Sequence, residues 1–314
     1  MPERLISGKL ESRERRGEVM ATGEQASPPG LATRRSLGKR FRDAIAPILA
    51  SKVALVGLGL VSFWVVVAIF APLITPYGPL EHDLEAMNLG PSLEHLLGAD
   101  NLGRDLWARL IYGARTILIL APLSVFCALA VGATLGLISG YFGGWTDEVV
   151  MRLLDAIMAF PAILLYLIII FALGPSATNV VIAITIAGTP GIARLVRSLT
   201  LDIRTREYIA AAKLRGENPF YIMFVEILPN ARGPIIVDAM LRIGYAVIAI
   251  GTLGFLGVGL PPPAPDWGSM VAQGRIYIWI NPWPVLWPSL AISSLVIGLN
   301  LFADGLREET MRYQ

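Results

Sequence analysis

Six apolar runs constrain the fold of this 314-residue chain more than any other feature of its sequence. A helix needs about 20 apolar residues to cross roughly 30 Å of hydrocarbon, and most of the runs approach that length. Hydrophobic residues make up 54% of the chain and charged residues 16%, and the mean hydropathy is +0.61. These values exceed the apolar share of a soluble domain and predict an all-α polytopic membrane protein with six transmembrane helices. The predicted spans are Val53–Ile74, Thr116–Ser139, Ala156–Leu173, Ala177–Ile192, Ile243–Leu260 and Val285–Phe302.

The fourth run is shorter than the others and is interrupted by Pro190-Gly191. Proline and glycine are tolerated in transmembrane helices, where they produce kinks rather than ends. We therefore expect one helix that is kinked near Pro190 and continues through Ala193–Leu201 beyond the bilayer.

Lysine and arginine are distributed unevenly between the two sides that these spans define. An even number of spans places both termini on one side, and cytoplasmic loops carry the excess of basic residues. The N-terminal segment and the loop after the fourth span are rich in them, whereas the opposite loops hold few. We therefore expect both termini and residues 204–230 in the cytoplasm. The aromatic residues expected at the outer interface are Trp267, Tyr277, Trp279, Trp283 and Trp287.

The composition changes along the chain and divides it into segments. Residues 1–35 are polar and lack apolar periodicity, which predicts a disordered cytoplasmic tail. Residues 36–75 combine an interfacial amphipathic helix with the first transmembrane helix, because Leu37, Phe41 and Ile45 recur at helical spacing opposite basic residues. A merely basic juxtamembrane segment is the alternative for the first part of that range. The remaining segments are an extracytoplasmic loop at 76–115, a core transmembrane domain at 116–306 and a cytoplasmic tail at 307–314.

The cytoplasmic loop between the fourth and fifth spans contains a predicted helix-turn-helix. Residues from Glu207 onward favour a helix, and Gly216 is expected to end it. Asn218-Pro219 opens a second short helix, which is expected to end at Leu228-Pro229. A charged helical loop of this length in a membrane protein suggests a partner protein. Three alanines form a face with small side chains that would seat deeply in a partner's groove, namely Ala210, Ala211 and Ala212.

Two pairs of opposite charges lie at the inner ends of predicted spans, within a few turns of the cytoplasmic interface. Asp238 and Arg242 lie four residues apart at the inner part of the fifth span, just before Ile243, and Arg152 and Asp155 lie three apart at the start of the third, just before Ala156. An unpaired charge at the bilayer centre costs at least about 2.5–3.5 kcal/mol, so we expect each pair to neutralise itself along its own helix. Gate bracing and direct contact with a substrate are both open for these groups. The candidate gate or pathway residues are Asp238, Arg242 and Tyr245.

Few other residues suggest a site. Asp105 and Arg109 in the outer loop are expected to form an exposed ion pair, and His82 and His95 are expected to be solvated. Cys127 is the only cysteine, so no internal disulfide and no cysteine-based metal site are predicted. We expect no bound metal.

Gly132, Gly136 and Gly140 recur every four residues in the second span. On a helix this spacing forms a groove without side chains, which lets a neighbouring helix approach closely. We interpret it as a packing surface.

Motifs for nucleotide hydrolysis, zinc-dependent proteolysis and serine hydrolysis are absent from the sequence. In particular, no phosphate loop of the form G-x-x-x-x-G-K-[ST] occurs. We expect no catalytic residue, no bound cofactor and no nucleic acid partner. An ATP-driven process would need its nucleotide site on another chain, and the helix-turn-helix would then be the contact through which that energy enters.

The helix-turn-helix and several other segments resemble a known family. Ala210–Ala212, Gly216 and Leu228-Pro229 follow the spacing EAA, three residues, Gly, nine residues, I-x-L-P, which is the signature of permeases in binding-protein-dependent ABC importers. Ala210 stands where Glu is usual, which makes Glu207 the candidate for the missing coupling salt bridge. Glu226 occupies the Ile position, and Ile227 follows one residue later. The segments similar to C-type subunits of the dipeptide/oligopeptide/nickel group are Leu97–Arg115, Asp147–Pro161, Leu253–Met270 and Asn300–Glu308.

This resemblance implies a type I ABC importer fold in which the chain forms a heterodimeric pore with a homologous B-type permease. It also implies two cytoplasmic ATPase subunits that bind ATP and Mg, an extracytoplasmic solute-binding protein, and a bacterial or archaeal plasma membrane. Peptides are the expected cargo, with nickel chelates, glutathione-like compounds and oligosaccharides as alternatives. The residues implied to contact an ATPase are Glu207, Tyr208, Ala210, Ala211, Ala212, Gly216, Leu228 and Pro229.

A secondary transporter or channel is the alternative of another class. It predicts internal inverted repeats, or several unpaired intramembrane charges along a path. Neither is evident in the sequence.

Overall fold

The computed structural model describes residues 51–312, and that part of the chain is almost entirely helical. The predicted all-α fold class is confirmed. The predicted tail at 1–35 and the interfacial helix that follows it lie outside the described residues. The α-helices are α1 (Lys52–Ile69), α2 (Ala71–Ile74), α3 (Leu106–Phe142), α4 (Gly144–Met158), α5 (Ala162–Leu173), α6 (Ala177–Ile203), α7 (Glu207–Leu214), α8 (Pro219–Tyr221), α9 (Leu228–Phe255), α10 (Trp267–Gly274) and α11 (Trp283–Arg312). Short 3₁₀ turns form at Leu84–Ala86 and Arg275–Tyr277, and a π-helical turn forms at Ile222–Ile227.

Within residues 51–312, five helical stretches are long and apolar enough to cross a membrane. They are α1, α3, α6, the stretch Pro219–Phe255 that contains α8 and α9, and Trp283–Glu308 in α11. Helices α4 and α5, bent by 88° relative to each other, supply a sixth crossing if they act as one broken span. The six predicted spans correspond to these elements, although several boundaries differ.

The third predicted span, Ala156–Leu173, is not one helix, and this prediction was wrong. The chain breaks between α4 and α5 at Pro161, because proline has no N–H to donate and disfavours helical geometry in the residue before it. Helix α5 alone has 12 residues and reaches about 18 Å, which is too short for the hydrocarbon core. A third crossing therefore needs both members of the bent pair.

The fourth and fifth spans also extend beyond their apolar runs. Helix α6 continues to Ile203 with Pro190 inside it, as predicted. The fifth span was predicted at Ile243–Leu260, but its helix begins in the preceding loop and ends at Phe255. Gly257, whose φ is 76°, closes that end, since a left-handed residue after a helix satisfies its last carbonyls.

The glycines of α3 form the predicted packing groove, and α6 lies in it. A Cβ on Gly136 would stand 2.5 Å from the carbonyl oxygen of Ala193, and one on Gly140 would stand 2.7 Å from the Cβ of Thr200. A Cβ on Gly132 would similarly stand 2.8 Å from a backbone oxygen of α6. Only glycine allows these two helices to pack this closely, which confirms the interpretation.

The two histidines of the outer loop have different environments. His82 is exposed, as expected. His95 is only 2% exposed, its Nδ1 lies 2.9 Å from Oδ1 of Asp105, and its ring stacks on Tyr77. The prediction of a solvated His95 was wrong, because the loop folds back over the start of α3 and buries the ring.

Asp105 and Arg109 do not pair, which contradicts the prediction of an exposed ion pair. Asp105 caps α3 instead, accepting a hydrogen bond of 2.7 Å from the N–H of Ala108. Arg109 lies 3.7 Å from the carboxylate of Asp100, and both side chains are buried. The outer loop is therefore a compact structure built on buried charges.

Trp267 is a core residue rather than an interfacial one, so its predicted place at the outer interface was wrong. Its side chain is fully buried, and its Nε1 donates a hydrogen bond of 2.8 Å to the carbonyl oxygen of Leu110. Gly113 makes room for the ring, since a Cβ there would stand 2.7 Å from it. Trp279, in contrast, is 97% exposed.

Candidate functional site

The predicted cytoplasmic helix is present as α7. Glu207 lies in its first turn and Lys213 in its last, so both charges complement the helix dipole. Gly216 follows with a φ of 78°, a left-handed conformation that glycine adopts without strain. A Cβ on Gly216 would meet nothing within 4 Å, so the backbone conformation, and not the available space, requires glycine here.

The chain after Gly216 differs from the prediction. The side chain of Asn218 caps the next helix, accepting a hydrogen bond of 2.9 Å from the N–H of Phe220. That helix was predicted to end at Leu228-Pro229, but it passes through the π-helical turn directly into α9. Pro229 lies in the first turn of α9, where its missing N–H costs little. The loop is thus continuous with the fifth membrane span.

The π-helical turn contains both Glu226 and Ile227, the two residues at and after the Ile position of the motif. A π turn accommodates one residue more than an α-helical turn and so shifts the side chains that follow it. Ile227 is fully buried here, whereas Glu226 lies nearer the surface with its carboxylate 3.6 Å from Arg215. The isoleucine, and not the glutamate, therefore faces the apolar cluster. The sequence did not predict the π turn.

One face of α7 packs against its own chain. Ile209 and Ala212 are fully buried, in an apolar cluster with residues of α3, α6 and the π turn. The prediction that all three alanines face a partner was therefore wrong for Ala212. Other members of this cluster are Leu137 of α3, Ile203 of α6, and Met223 and Ile227 of the π turn.

Polar contacts also hold α7 and its approach to the end of α3. Arg204, just after α6, donates a hydrogen bond of 2.7 Å to the carbonyl oxygen of Gly140 and a longer one to that of Tyr141. The ammonium group of Lys213 lies 5.4 Å from the centroid of the Tyr141 ring, within the range of a cation–π contact. These contacts and the buried cluster make α7 a rigid extension of α3 and α6.

The opposite face of α7 is exposed and largely apolar. Leu214 is 90% exposed, Tyr208 is 37% exposed, and Ala210 and Ala211 are also exposed. Glu207 forms no ion pair with any residue that the structure describes. Sequence reasoning did not single out Leu214. The signal was available, because Ala210, Ala211 and Leu214 fall at helical spacing on the side opposite the buried pair, with Tyr208 at the edge of the buried side.

Helix α4 is tied to α6 by two ion pairs. Arg197 donates two hydrogen bonds to the carboxylate of Asp147, and Arg194 pairs with Asp155. Arg152 pairs with Glu148 at 2.6 Å, so the predicted Arg152–Asp155 pair was wrong. Asp155 pairs with a residue of α6, and the spacing of residues along α4 alone does not predict such a contact between helices.

The predicted pair inside the fifth span is present. Arg242 Nε donates a hydrogen bond of 2.5 Å to Asp238, and both side chains are about three-quarters buried at 25% and 27% exposed. The guanidinium also lies against α6 next to Pro190, where a Cβ on Gly191 would stand 2.8 Å from it. A cavity of about 140 Å³ lies beside it, lined by Tyr166, Gly188, Arg242 and Tyr245 among others. Tyr245 itself is 69% exposed.

Among residues 51–312, no group of three or more histidine, cysteine or acidic side chains is arranged to hold a metal ion. The site is therefore best described as two separate places. One is helix α7 with its exposed face, and the other is the Asp238–Arg242 pair with its small cavity inside the fifth span.

Two family models match the chain. Residues 132–308 match the binding-protein-dependent transport system inner membrane component, and residues 39–91 match the N-terminal TM domain of oligopeptide transport permease C. The first match spans more than half of the chain and includes α7 and the Asp238–Arg242 pair.

Curated relatives are similar over most of their length. The chain is 42% identical over 289 residues to the dipeptide transport system permease protein DppC of Alkalihalophilus pseudofirmus, covering 92% of this chain and 95% of the relative. It is 38% identical over 275 residues to the glutathione transport system permease protein GsiD of Pectobacterium atrosepticum, covering 87% and 91%.

A solved structure shares the fold. A chain of the inward-facing MetNI methionine ABC transporter superposes with a TM-score of 0.53 at 21% identity, covering 65% of this chain and 97% of that one. Sequence, family models and fold agree with one another. The chain therefore belongs to the binding-protein-dependent transport system inner membrane component family, and it is an ABC transporter permease with the type I fold.

Proposed function

We propose that this chain is the C-type permease subunit of an ATP-driven peptide importer. It forms half of the pore with a homologous B-type permease, and a solute-binding protein delivers the cargo on the extracytoplasmic side. Several similar proteins are named as dipeptide or peptide transport permeases, which supports peptides over nickel chelates or oligosaccharides. The chain spans the plasma membrane with both termini in the cytoplasm and the segment order predicted above.

The observation that carries this proposal is the two-sided character of α7. Ile209 and Ala212 fix one side to the ends of the membrane helices, while Ala210, Ala211 and Leu214 expose apolar surface on the other and Tyr208 is exposed at the edge between them. An exposed apolar side on a rigid helix outside the membrane is expected to be covered by a partner. We assign it to a cytoplasmic ATPase subunit, which holds ATP and Mg, so this chain itself has no catalytic role.

The docked surface includes polar and turn residues as well. Glu207 forms the salt bridge to the ATPase that a glutamate at position 210 would otherwise form. Gly216 permits the tight turn that presents the helix, and Leu228 and Pro229 join it to the fifth span. The proposed contact residues are Glu207, Tyr208, Ala210, Ala211, Gly216, Leu228 and Pro229, to which we add Leu214, with Ala212 supporting them from within.

The attachment of α7 to the bundle explains how ATP binding moves the pore. Arg204 and the buried cluster hold α7 to α3 and α6, and the Asp147–Arg197 pair holds α4 to α6. When the two ATPases close, α7 moves with them and carries these helices as a rigid body. The pore then opens outward, and hydrolysis returns it to the inward-facing state.

The Asp238–Arg242 pair and the small cavity beside it serve the translocation pathway. Asp238 and Arg242 neutralise each other inside the fifth span and brace it against α6 beside Pro190. Tyr245, exposed one turn further along α9, lines the passage. Bracing, and not direct contact with cargo, is the role that the paired geometry supports.

The experiment that tests the docking role uses Ala211→Arg, with Ala211→Ser as its control. Ala211 is exposed, so either residue leaves the fold of this chain intact, but only arginine obstructs the docking face. We expect Ala211→Arg to lower cargo-stimulated ATPase activity and uptake about tenfold or more, since a cost of 1.4 kcal/mol already gives that factor. Ala211→Ser should behave as the wild type.

Two results would overturn the proposal. One is normal ATP-dependent uptake by Ala211→Arg in the assembled transporter. The other is solute uptake by this chain in liposomes without any ATPase subunit, which is the behaviour of a secondary transporter or channel. Competition of labelled dipeptide uptake by nickel chelates and oligosaccharides decides the cargo class.

A further inference from the structure

A large apolar cavity lies between α1, α3, α9 and α11, away from the two places described above. Its volume is about 740 Å³, within the range of roughly 300–1,000 Å³ typical of small-molecule sites. Among its lining residues Arg115 is the one charged side chain, and the rest are aliphatic or proline. Representative lining residues are Val61, Val65, Ala121, Pro122, Val247 and Leu295.

The cavity runs from one end of a membrane span into its middle. On α1 it extends from Ile69, the last residue of the helix, back to Val61, which is a distance of about 12 Å at 1.5 Å per residue. Its mouth is open to the outside of the bundle, because Ile69 and Ile119 at its edge are 61% and 63% exposed. The cavity therefore connects the level of the lipid headgroups with the hydrocarbon core.

Arg115 stands at the headgroup end of the cavity. Its Nε and Nη2 donate to the carbonyl oxygens of Ala68 and Ile69, the latter at 3.0 Å, and its guanidinium lies 5.2 Å from the ring centroid of Tyr112. These contacts fix the guanidinium at the end of α1. Its Nη1 makes no hydrogen bond to any residue that the structure describes, which leaves donors for an anion.

We propose that this cavity binds one phospholipid, with an acyl chain among the aliphatic side chains and the phosphate on Arg115. A single cation at the mouth of an apolar slot is complementary to a molecule with one anionic end and one hydrocarbon end. The proposed orientation of the chain places this lipid in the extracytoplasmic leaflet. The lipid fills the space between α1 and the rest of the bundle.

A helix of a partner subunit is the alternative occupant of the cavity. Such a helix would cover the aliphatic lining but would leave Arg115 without an anion at the mouth, unless it also carried an acidic residue there. A phospholipid supplies the anionic group and the hydrocarbon chain in one molecule. The placement of the charge thus favours a lipid.

The test measures lipid retention in the transporter purified with the subunits that accompany this chain. Val65→Phe fills the cavity, and Val66→Phe is its control, because Val66 is the next residue on α1 and does not line the cavity. Arg115→Gln removes the proposed phosphate ligand. Arg275→Gln is the matched control, since Arg275 is stacked on Phe255 and does not line the cavity.

Native mass spectrometry counts phospholipid retained from vesicles of phosphatidylcholine containing phosphatidylglycerol. We expect Val65→Phe and Arg115→Gln to lose one retained phospholipid per copy and most of the rise in Tm that phosphatidylglycerol produces, while both controls keep them. Inorganic phosphate alone should not raise Tm. If Arg115→Gln fails to assemble because α1 loses its cap, Val65→Phe still decides the result.

Three outcomes would overturn the proposal. Equal lipid retention in Val65→Phe and Val66→Phe would show that the cavity does not hold the lipid. Stabilisation by inorganic phosphate to the same extent would show that no acyl chain is involved. A crosslink from residue 65 to a partner permease, formed in place of lipid retention, would assign the cavity to that subunit.

Discussion

Arg197 on α6 donates two hydrogen bonds to the carboxylate of Asp147 on α4, fifty residues earlier in the chain. Ser139 near the end of α3 donates to the same carboxylate. Helices α3, α4 and α6 thus meet at the carboxylate of Asp147. Helix α6 leads directly into the segment that carries α7. The contact holds together the ends of the helices that our proposal requires to move as one body.

Asp147→Asn should loosen this junction. The side chains of Asp147 and Arg197 are 19% and 32% exposed, so hydrogen bonds between them are partly protected from water. Because hydrogen bonds to charged groups contribute about 1.5–3 kcal/mol, we expect the free energy of unfolding to fall by about that amount. Thermal unfolding in detergent measures the loss, and ATPase activity without cargo should rise relative to uptake as the coupling weakens.

Arg152→Gln is the control for that variant. Arg152 pairs with Glu148 on the same helix, but the two side chains are 77% and 58% exposed. Exposed pairs of this kind contribute little to stability, so no measurable change in Tm or coupling is expected. Equal effects of the two substitutions would contradict the assigned role of Asp147.

The Asp238–Arg242 pair offers a test that separates bracing from contact with cargo. Asp238→Asn leaves the largely buried guanidinium of Arg242 without its counter-charge, so we expect uptake to fall several-fold with assembly retained. The exchange variant Asp238→Arg with Arg242→Asp restores the pair in reverse. If the pair only braces the span, the exchange should recover most of the uptake and change the Michaelis constant for peptide little. A recovered Tm with uptake still absent would instead indicate that one of the two groups contacts the cargo.

The membrane spans were largely predictable from the sequence, because hydropathy reports length and composition directly. The ends of the spans were not predictable from hydropathy, because a helix can continue beyond its apolar residues for as long as its backbone geometry allows. Pro161 was visible in the sequence, yet the apolar run on both sides of it suggested one uninterrupted helix. The fifth span was predicted to start at Ile243, because the stretch before it is polar enough to resemble a loop.

The site was predictable where its residues are neighbours in sequence. The helix at Glu207 and the turn at Gly216 follow from local preferences, and Asp238–Arg242 follows from helical spacing. The Asp155–Arg194 pair joins residues 39 positions apart, and the burial of His95 depends on how the outer loop folds over α3. Contacts of this kind depend on tertiary structure, for which a single sequence gives no spacing rule.

Asp266, which lies between α9 and α10, gives the free energy of unfolding a defined pH dependence. Burial raises the pKa of its carboxyl group above the ordinary value of 3.8, and Oδ1 has no hydrogen-bond partner among the described residues. The folded state therefore holds the proton more tightly than the unfolded state. Between the ordinary and the raised pKa, the free energy of unfolding should fall as pH rises, by at most about 1.4 kcal/mol per pH unit.

Asp266→Asn should flatten this slope. Asn cannot ionise, and its side-chain oxygen can still accept the hydrogen bond from the N–H of Ser269 that caps α10. Tm of the two proteins is compared from pH 4 upward. Glu94→Gln, at an exposed carboxyl group of the outer loop before α3, should leave the slope unchanged. An unchanged slope in Asp266→Asn would exclude Asp266 as its source.

The π-helical turn permits a test with two variants of equal length. Deleting Glu226 removes one residue from the turn and leaves Ile227 to occupy the buried place, so a regular α-helix with the same apolar face should form. Deleting Ile227 instead shortens the helix equally but leaves Glu226 to occupy that place. An acidic side chain in this apolar cluster must be neutralised or left unpaired, at a cost of several kcal/mol. We expect the first variant to assemble with its ATPases and the second to fail, as measured by copurification and Tm. Failure of both would mean that the extra residue itself, and not the buried isoleucine, is what the connection from α7 to α9 requires.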